Sequence, residues 1–323
     1  MLIFNPEHDL CLANGGRSYV PPDSARQFAE QCADVMRIIY HPGFFIPRAT
    51  VIPWGWNTTL RHLLIKKGIE EGLLPTENEL QTIKTLQHRK TALPLLKDSI
   101  AADTLETIVA HLSKHGDIVM KAPWSGSGRG LRWVSAKLKQ QDMLWAKKVI
   151  RSQQCVIVEP RRNVCHNYAL EFFRHDHKLN FVGFSLFSTK NGVYQSNLLL
   201  DDNTISKIVD IPESEIADTE RWLASIMPDF YEGPIGVDYY TDLNGEHFCS
   251  EINFRHTMGL VAHEYRACHP EHNGWTFGIA HDKPGEYRIE TKPHQDSTTH
   301  EEATTVRMDN RDRSKCDDIR HFS

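Results

Sequence analysis

The dipeptide Asn244-Gly245, set between two strand-like runs, constrains this chain most. Tight hairpin turns need positive φ at both central residues, and Asn-Gly supplies it at little cost. The turn therefore predicts that the segments Gly236–Thr241 and Glu246–Ile252 are adjacent antiparallel strands. Asp238 lies six residues before Asn244 and Glu251 six residues after Gly245, so the two carboxylates should stand close to opposite one another. Residues two apart on a strand face one side. Glu251 and Asn253 should therefore project together, with Ile252 turned away and Arg255 continuing the alternation. A carboxylate from each strand plus an amide oxygen is the hard-oxygen set that Mg²⁺ takes, with substrate phosphates as further partners. The competing reading is a solvated polar hairpin. Against it, Gly233-Pro234-Ile235-Gly236-Val237 and Phe248 look buried, and a buried carboxylate pair without a cation is costly.

A second constellation precedes it by about a hundred residues: Ile118-Val119-Met120-Lys121-Ala122-Pro123-Trp124-Ser125-Gly126-Ser127-Gly128-Arg129-Gly130. Phosphate oxygens need inward-pointing backbone N–H groups and little side-chain bulk, and glycine gives a loop the freedom to curl into such a nest. Gly126, Gly128 and Gly130 provide that freedom, Ser125 and Ser127 add hydroxyl donors, and Lys121 sits on the strand leading in. No Gly-Lys-Ser/Thr follows, so this is not a Walker A loop. Arg132-Trp133-Val134 reads as a returning strand, so it is not a dinucleotide fingerprint either. A plain glycine-loosened hairpin with an ordinary strand lysine is the competing reading.

Around these segments the chain alternates strand and helix signals. Met1 to Asn5 reads as a strand, Ser24 to Val35 as a helix, Val35 to Tyr40 as a second buried strand and Trp54 to Glu71 as a helix. Thr76 with Glu79 is a capping-box start, and a helix carrying His88-Arg89-Lys90 should follow. Gln154–Glu159, Asn167–Arg174 and Phe181–Ser188 read as further strands. A chain of 323 residues suggests two domains or one composite. The expected division is a small α/β unit over 1–85, a unit with the Gly-rich loop over 86–160, and one with the acidic hairpin over 161–282. Residues 283–323, poor in apolar side chains, should form a polar, weakly packed tail. A net charge of −5 gives no bulk case for nucleic acid. No run approaches the roughly 18 apolar residues of a membrane span, and Glu7, His8 and Asp9 make the start too polar for a signal peptide. Seven widely spaced cysteines with no CxxC argue against a disulfide framework, so a cytoplasmic location with reduced thiols is expected.

Over about residues 85–280 the order of these features resembles the ATP-grasp superfamily. Glu251-Ile252-Asn253-Phe254-Arg255 is its most specific piece, close to the family's Glu-Ile-Asn-Pro-Arg, with Phe254 in place of proline. The resemblance implies an α/β (α+β) ATP-grasp fold, in which a small N-terminal α/β domain precedes two α+β subdomains that clasp ATP between antiparallel sheets. It implies Lys90 as the first phosphate-binding lysine, with Arg89 its competitor, and Lys121 as the second. Ser125, Gly126, Ser127, Gly128 and Gly130 become the mobile loop over the triphosphate. Val156, Val158 and Glu159 become the hinge strand at adenine. Asp238, Glu251 and Asn253 become ligands of Mg²⁺ or Mn²⁺, and Arg255 the arginine on the transferred phosphoryl group. Cys165-His166-Asn167 occupies the place of the family's ribose glutamate, so either Asn167 substitutes for it or the ribose contact lies elsewhere.

The activity so implied is an ATP-dependent ligase that converts a small-molecule carboxylate to an acylphosphate for attack by an amine or thiol. The alternatives are a small-molecule kinase of the same fold and a non-catalytic nucleotide-binding protein. His8, Asp9 or Arg17 could touch substrate, against an Asx-type turn of solvated charges. His256, His263, His269 and His272, with Glu264 and Glu271, lack the HExxH spacing of a zinc site. His256 stands out among them because it directly follows Arg255. Arg161-Arg162 could meet an anionic substrate, and Trp54 and Trp56 should pack between domains.

Overall fold

The computed structural model describes residues 1–45, 49–126, 130–280, 283 and 285–294. The chain begins with β1 (Leu2–Ile3), α1 (His8–Asn14), α2 (Asp23–Gln31), α3 (Val35–Ile39), β2 (Ile52–Pro53), α4 (Thr58–Lys66) and α5 (Glu77–Leu86). β1 and β2 pair in parallel as a two-stranded sheet. A four-stranded antiparallel sheet follows, built from β3 (Ile100–Ala102), β4 (Asp117–Lys121), β5 (Leu131–Ser135) and β6 (Val156–Pro160) in the order β3-β6-β4-β5. The helices α6 (Leu105–His115) and α7 (Gln140–Gln153) accompany it. The rest comprises β7 (Val164–His175), β8 (Lys178–Lys190), β9 (Val193–Leu199), α8 (Asp202–Val209), α9 (Glu213–Ile226), β10 (Gly233–Asp242), β11 (His247–Asn253), α10 (Met258–Cys268), β12 (Trp275–Ala280) and β13 (Arg288–Pro293). These strands form one antiparallel sheet ordered β11-β10-β7-β8-β9-β12-β13. The architecture is the expected mixed α/β one, with antiparallel sheets on either side of a cavity.

Local chemistry sets several boundaries. Thr76 and Glu79 close the expected capping box at α5, satisfying two end donors reciprocally. Thr104 caps α6, and Gly116, at φ 78°, ends it. Alternation on β6 divides its side chains. Val156 and Val158 enter the core of the four-stranded sheet with Ile108, Ile118 and Met120, while Ile157 joins the larger core with Tyr168, Phe172 and Val237.

Three expectations change. Val35–Tyr40 is a helix through Ile39, not a strand. Its buried Val35, Met36 and Ile39 follow helical spacing and pack with Leu260 and Val261 of α10. A short apolar run fits either period, and the α10 partner decides. Arg89 and Lys90 do not continue α5; they open a 3₁₀ helix, Arg89–Leu95, containing Pro94. The tail expected from residue 283 is structured over Arg288–Pro293, which pairs with β12 along its length as the sheet's edge strand; 295–323 lie outside the described residues. Phe4, Trp54 and α3 share one core with α10 and Phe277, so the N-terminal segment is packed onto the large sheet. Among the described residues no helix is long and apolar enough to cross a membrane.

Candidate functional site

A cavity of about 300 Å³ is lined from both larger sheets and from the N-terminal segment. Its floor is the face of the large sheet on which the acidic hairpin lies. Asp238 pairs with Glu251 and Gly236 with Asn253 in the β10–β11 register. Ile252 turns into the apolar core. Asn253 Nδ2 donates to Asp238 Oδ2 at 3.4 Å. Burial, and after it the charges of Glu251 and Glu171, pushes the Asp238 carboxyl up to about 8, with Arg255 and the Asn253 hydrogen bond opposing. A carboxylate so disfavoured is one that a divalent cation would stabilise.

The four-stranded sheet contributes Lys121. Its ammonium pairs with Glu159 Oε1 at 2.8 Å, and both side chains are buried. It also donates to the backbone oxygen and Oγ of Ser250, at 3.4 and 3.3 Å. Ser250 sits at the register shift beside Asp238, so Lys121 bridges the two sheets next to the hairpin.

Arg89 and Lys90 occupy opposite environments. Lys90 is exposed. Arg89 is 6% exposed and lines the cavity. Its guanidinium donates to Glu251 Oε2 at 2.7 Å, to Ser125 Oγ at 2.6 Å and to the Ser125 backbone oxygen at 2.9 Å. Arg89 therefore clamps the start of the glycine-rich loop to the acidic hairpin, in the place expected for Lys90. The tight turn at Arg89 throws consecutive side chains apart, and only the arginine points inward.

The loop's base is closed by Ala122 N–H donating to the Gly130 oxygen at 2.9 Å. Gly130, at φ 95°, has no room for a side chain, since a Cβ would lie 2.8 Å from Ser125 Oγ. A Cβ on Gly126 would lie 2.3 Å from Asp9 Oδ2. Ser127 and Gly128 lie outside the described residues. On β6, Val156 and Val158 show the cavity no side chain, while Glu159, Pro160, Arg161 and Arg162 line it. Arg162 also pairs with Asp98 at 3.0 Å and lies over the Phe248 ring at 4.0 Å. Asn167 lines the cavity from β7.

The N-terminal segment supplies a wall. Asn5 Nδ2 donates to the Gly55 oxygen at 2.9 Å, fixing the chain ahead of α1. The ring of His8 is fully buried against Gly55, where a Cβ would lie 2.6 Å from it. Burial holds His8 down at about 4, so it is neutral. Asp9, in the first turn of α1, reaches Arg255 at 3.1 Å. Burial alone would raise the Asp9 carboxyl, but Arg255, His8 and Arg89 together hold it below its ordinary range. His256 lies behind the site. Its Nδ1 is 3.0 Å from the Trp54 oxygen, its Nε2 2.7 Å from the Tyr40 hydroxyl, and burial lowers it to about 4. Arg17 is exposed and paired with Glu77. Trp54 lines the cavity and meets Phe4 edge-on. Of the histidine-rich segment, His269, Glu271 and His272 bring ligand atoms within 4.8 Å of one another, without His256 or His263.

Glu171 escaped the sequence reading, although Asn167, Ala169 and Glu171 alternate along one strand and therefore share a face. It pairs with Gly236 across β7–β10 and lines the cavity. Thr257 Oγ1 donates to its Oε2 at 2.9 Å and Ser185 Oγ to its Oε1 at 3.1 Å.

No protein-family model matches the chain, and no curated protein matches it. Solved structures resemble it distantly. N5-carboxyaminoimidazole synthetase from Staphylococcus aureus, complexed with ADP, is 18% identical over 55% of this chain and 47% of its own, with a TM-score of 0.41. The chain thus spans about half the length of that synthetase. D-alanyl-alanine synthetase A from Vibrio cholerae is 16% identical over 71% and 73%, with a TM-score of 0.46. A biotin carboxylase–β-γ-ATP complex from Campylobacter jejuni is 12% identical over 74% and 56%, with a TM-score of 0.46.

Proposed function

We propose that this chain is an ATP-grasp ligase, in which ATP phosphorylates a substrate carboxylate and an amine or thiol then displaces phosphate from the acylphosphate. The observation that carries the reading is the meeting of Asp238, Glu251 and Asn253 on one strand face with Lys121, Arg89 and Arg255 around them. Asp238, Glu251 and Asn253 are hard-oxygen groups, the buried Asp238 carboxylate without an ion pair among the described residues, and they would hold Mg²⁺, which when bound neutralises phosphate charge. Arg89 and Lys121, now paired with Glu251 and Glu159, would turn to phosphate oxygens. Arg255 would face the group in transfer. The protein's part is positioning and charge neutralisation, as in other phosphoryl transfers.

The test is phosphate release from ATP and Mg²⁺ against a panel of amino acids, dipeptides and other carboxylates, the carboxylate carrying ¹⁸O. Ligase chemistry moves one label into the released phosphate, because the acyl oxygen leaves with phosphorus. A kinase would retain the label in a stable phosphorylated product. A Glu251→Ala variant that keeps full substrate-dependent turnover would sink the proposal.

A further inference from the structure

Four cations of the cavity have carboxylate partners: Arg89 with Glu251 at 2.7 Å, Lys121 with Glu159 at 2.8 Å, Arg255 with Asp9 at 3.1 Å and Arg162 with Asp98 at 3.0 Å. Two cavity carboxylates, Asp238 and Glu171, have no ion pair among the described residues. Asp238 belongs to the hairpin set. Glu171 lies on the neighbouring strand β7, opposite Gly236, and is 1% exposed. Each of its oxygens accepts one hydrogen bond, from Ser185 or Thr257, and a carboxylate has about four acceptor positions. Half of its capacity is therefore unused, and although His263 and Arg255 favour its charge, neither forms an ion pair with it.

The surroundings say what kind of cation fits. Thr257 is the N-cap of α10, and its neighbour Met258 packs on the core that holds Phe4, Trp54 and Phe28. Phe4 meets both Phe28 and Trp54 edge-on, with ring centroids 5.1 and 5.0 Å apart. All four side chains line the same cavity as Glu171. One residue of chain thus separates the donor to the carboxylate from an apolar, aromatic wall. Glycine keeps the carboxylate in place: a Cβ on Gly259 would lie 2.1 Å from Glu171 Oε1. A hydrated metal ion has no use for an aromatic wall, whereas an organic ammonium with a carbon substituent uses both.

Resting on the ligase reading, we propose that Glu171 receives the ammonium group of the acceptor substrate while Phe4, Phe28, Trp54 and Met258 take its substituent. The acceptor is then a primary amine bearing an apolar group, not a thiol or an anion.

The experiment uses the full chain without nucleotide and titrates it calorimetrically with 2-phenylethylamine, 2-phenylethanol, 3-phenylpropionate and methylamine. Phenylethylamine should bind at least about tenfold more tightly than each of the others, the size of one charged hydrogen bond. A Glu171→Gln variant should lose about the same factor for the amine. Equal binding of amine and alcohol, or no binding of the amine, overturns the inference, and this comparison needs no variant should Glu171→Gln fail to fold. So does a Glu171→Gln variant that binds the amine like the parent and instead needs about tenfold more Mg²⁺ for ATP binding, the change expected on losing a metal ligand. MgATP binding is measured in parallel. Its absence with amine binding intact would overturn the ligase reading and leave the Glu171 subsite standing, and the reverse result would do the opposite.

Discussion

Asp9 and Arg255 stand 246 residues apart in sequence and 3.1 Å apart in space. The pair joins the first turn of α1 to the segment after the acidic hairpin, and both side chains are largely withdrawn from water, at 16% and 13% exposure. Arg255 also donates to the His256 oxygen at 3.0 Å, so its guanidinium is aimed by α1 on one side and by its own backbone on the other.

Asp9→Asn keeps the shape of that contact and removes its charge. Breaking a buried pair from one side leaves an uncompensated ion, at a cost of about 3 kcal/mol. The expected result is a folded protein destabilised by about that amount in urea at pH 7. Unchanged stability would show that water or another group compensates Arg255.

The contrast between Arg89 and Lys90 gives a second prediction. Lys90→Ala should leave MgATP affinity within about twofold, the ordinary effect of an exposed charge. Arg89→Ala should weaken it at least about thirtyfold, since a buried, multiply bonded guanidinium is lost. Equilibrium binding of a fluorescent ATP analogue reads both, and the opposite order would return the site to Lys90.

Those two residues also mark where the sequence stopped being legible. The Asp238–Glu251 pairing was expected from a two-residue Asn244-Gly245 turn, but the loop is one residue longer, with Asp242 bonded to Glu246 and Thr241 opposite His247, and the bulge at Ser250 restores the counted pairing. The position of Lys121 at the cavity was readable because a strand feeds its loop directly. The choice between Arg89 and Lys90 depends on a 3₁₀ turn whose phase no hydrophobic repeat announces. The pairing of Asp9 with Arg255, and Glu171 altogether, were hidden for another reason. Asp9 depends on where α1 docks, and Glu171 on Thr257 and Gly259 being brought against β7 by α10, and such contacts between distant segments carry no local spacing signal. The α3 segment failed likewise, since five apolar-rich residues take the period of whatever they pack on.

The metal role proposed for Asp238 predicts a pH dependence for metal binding. Its carboxyl is raised to about 8 by burial and then by Glu251 and Glu171. A metal ligand must be ionised, so metal entry displaces a proton below that value. Apparent Mg²⁺ affinity in the ATP complex should climb by up to about tenfold per pH unit between pH 6 and 8 and then level. Asp238→Asn should abolish the climb along with most of the affinity.

Gly259→Ala tests how tightly α10 covers Glu171. Near a helix start, alanine is ordinarily favoured over glycine by up to about 1 kcal/mol. Here the added Cβ would lie 2.1 Å from Glu171 Oε1 and 2.2 Å from Ser185 Oγ. The substitution should therefore destabilise the fold by about 1–3 kcal/mol, the range for overpacking. A gain in thermal stability would mean that the helix moves off β7 at little cost.

His263 supplies a stability effect far from the hairpin. Its Nδ1 is 2.8 Å from Glu264 Oε1 and its Nε2 3.3 Å from Asp202 Oδ2, while Glu264 also meets His41 Nε2 at 2.8 Å. Burial opposes its charge, yet the hydrogen bonds and charges of Asp202 and Glu264 prevail and lift it to about 9 from 6.5. A histidine raised on folding contributes stability that is complete below pH 6.5 and lost as pH climbs through 9. With Asp202 at 44% exposure screening part of the effect, the loss should be about 2 kcal/mol. His41, raised by Glu264 against burial, and the raised Asp238 and Glu171 carboxyls all tilt the whole-protein curve the same way. The informative quantity is therefore the difference between the parent and His263→Gln in urea denaturation at pH 6, 7.5 and 9. That difference should be largest at pH 6 and shrink steadily to pH 9, and a constant difference would show that His263 contributes packing alone.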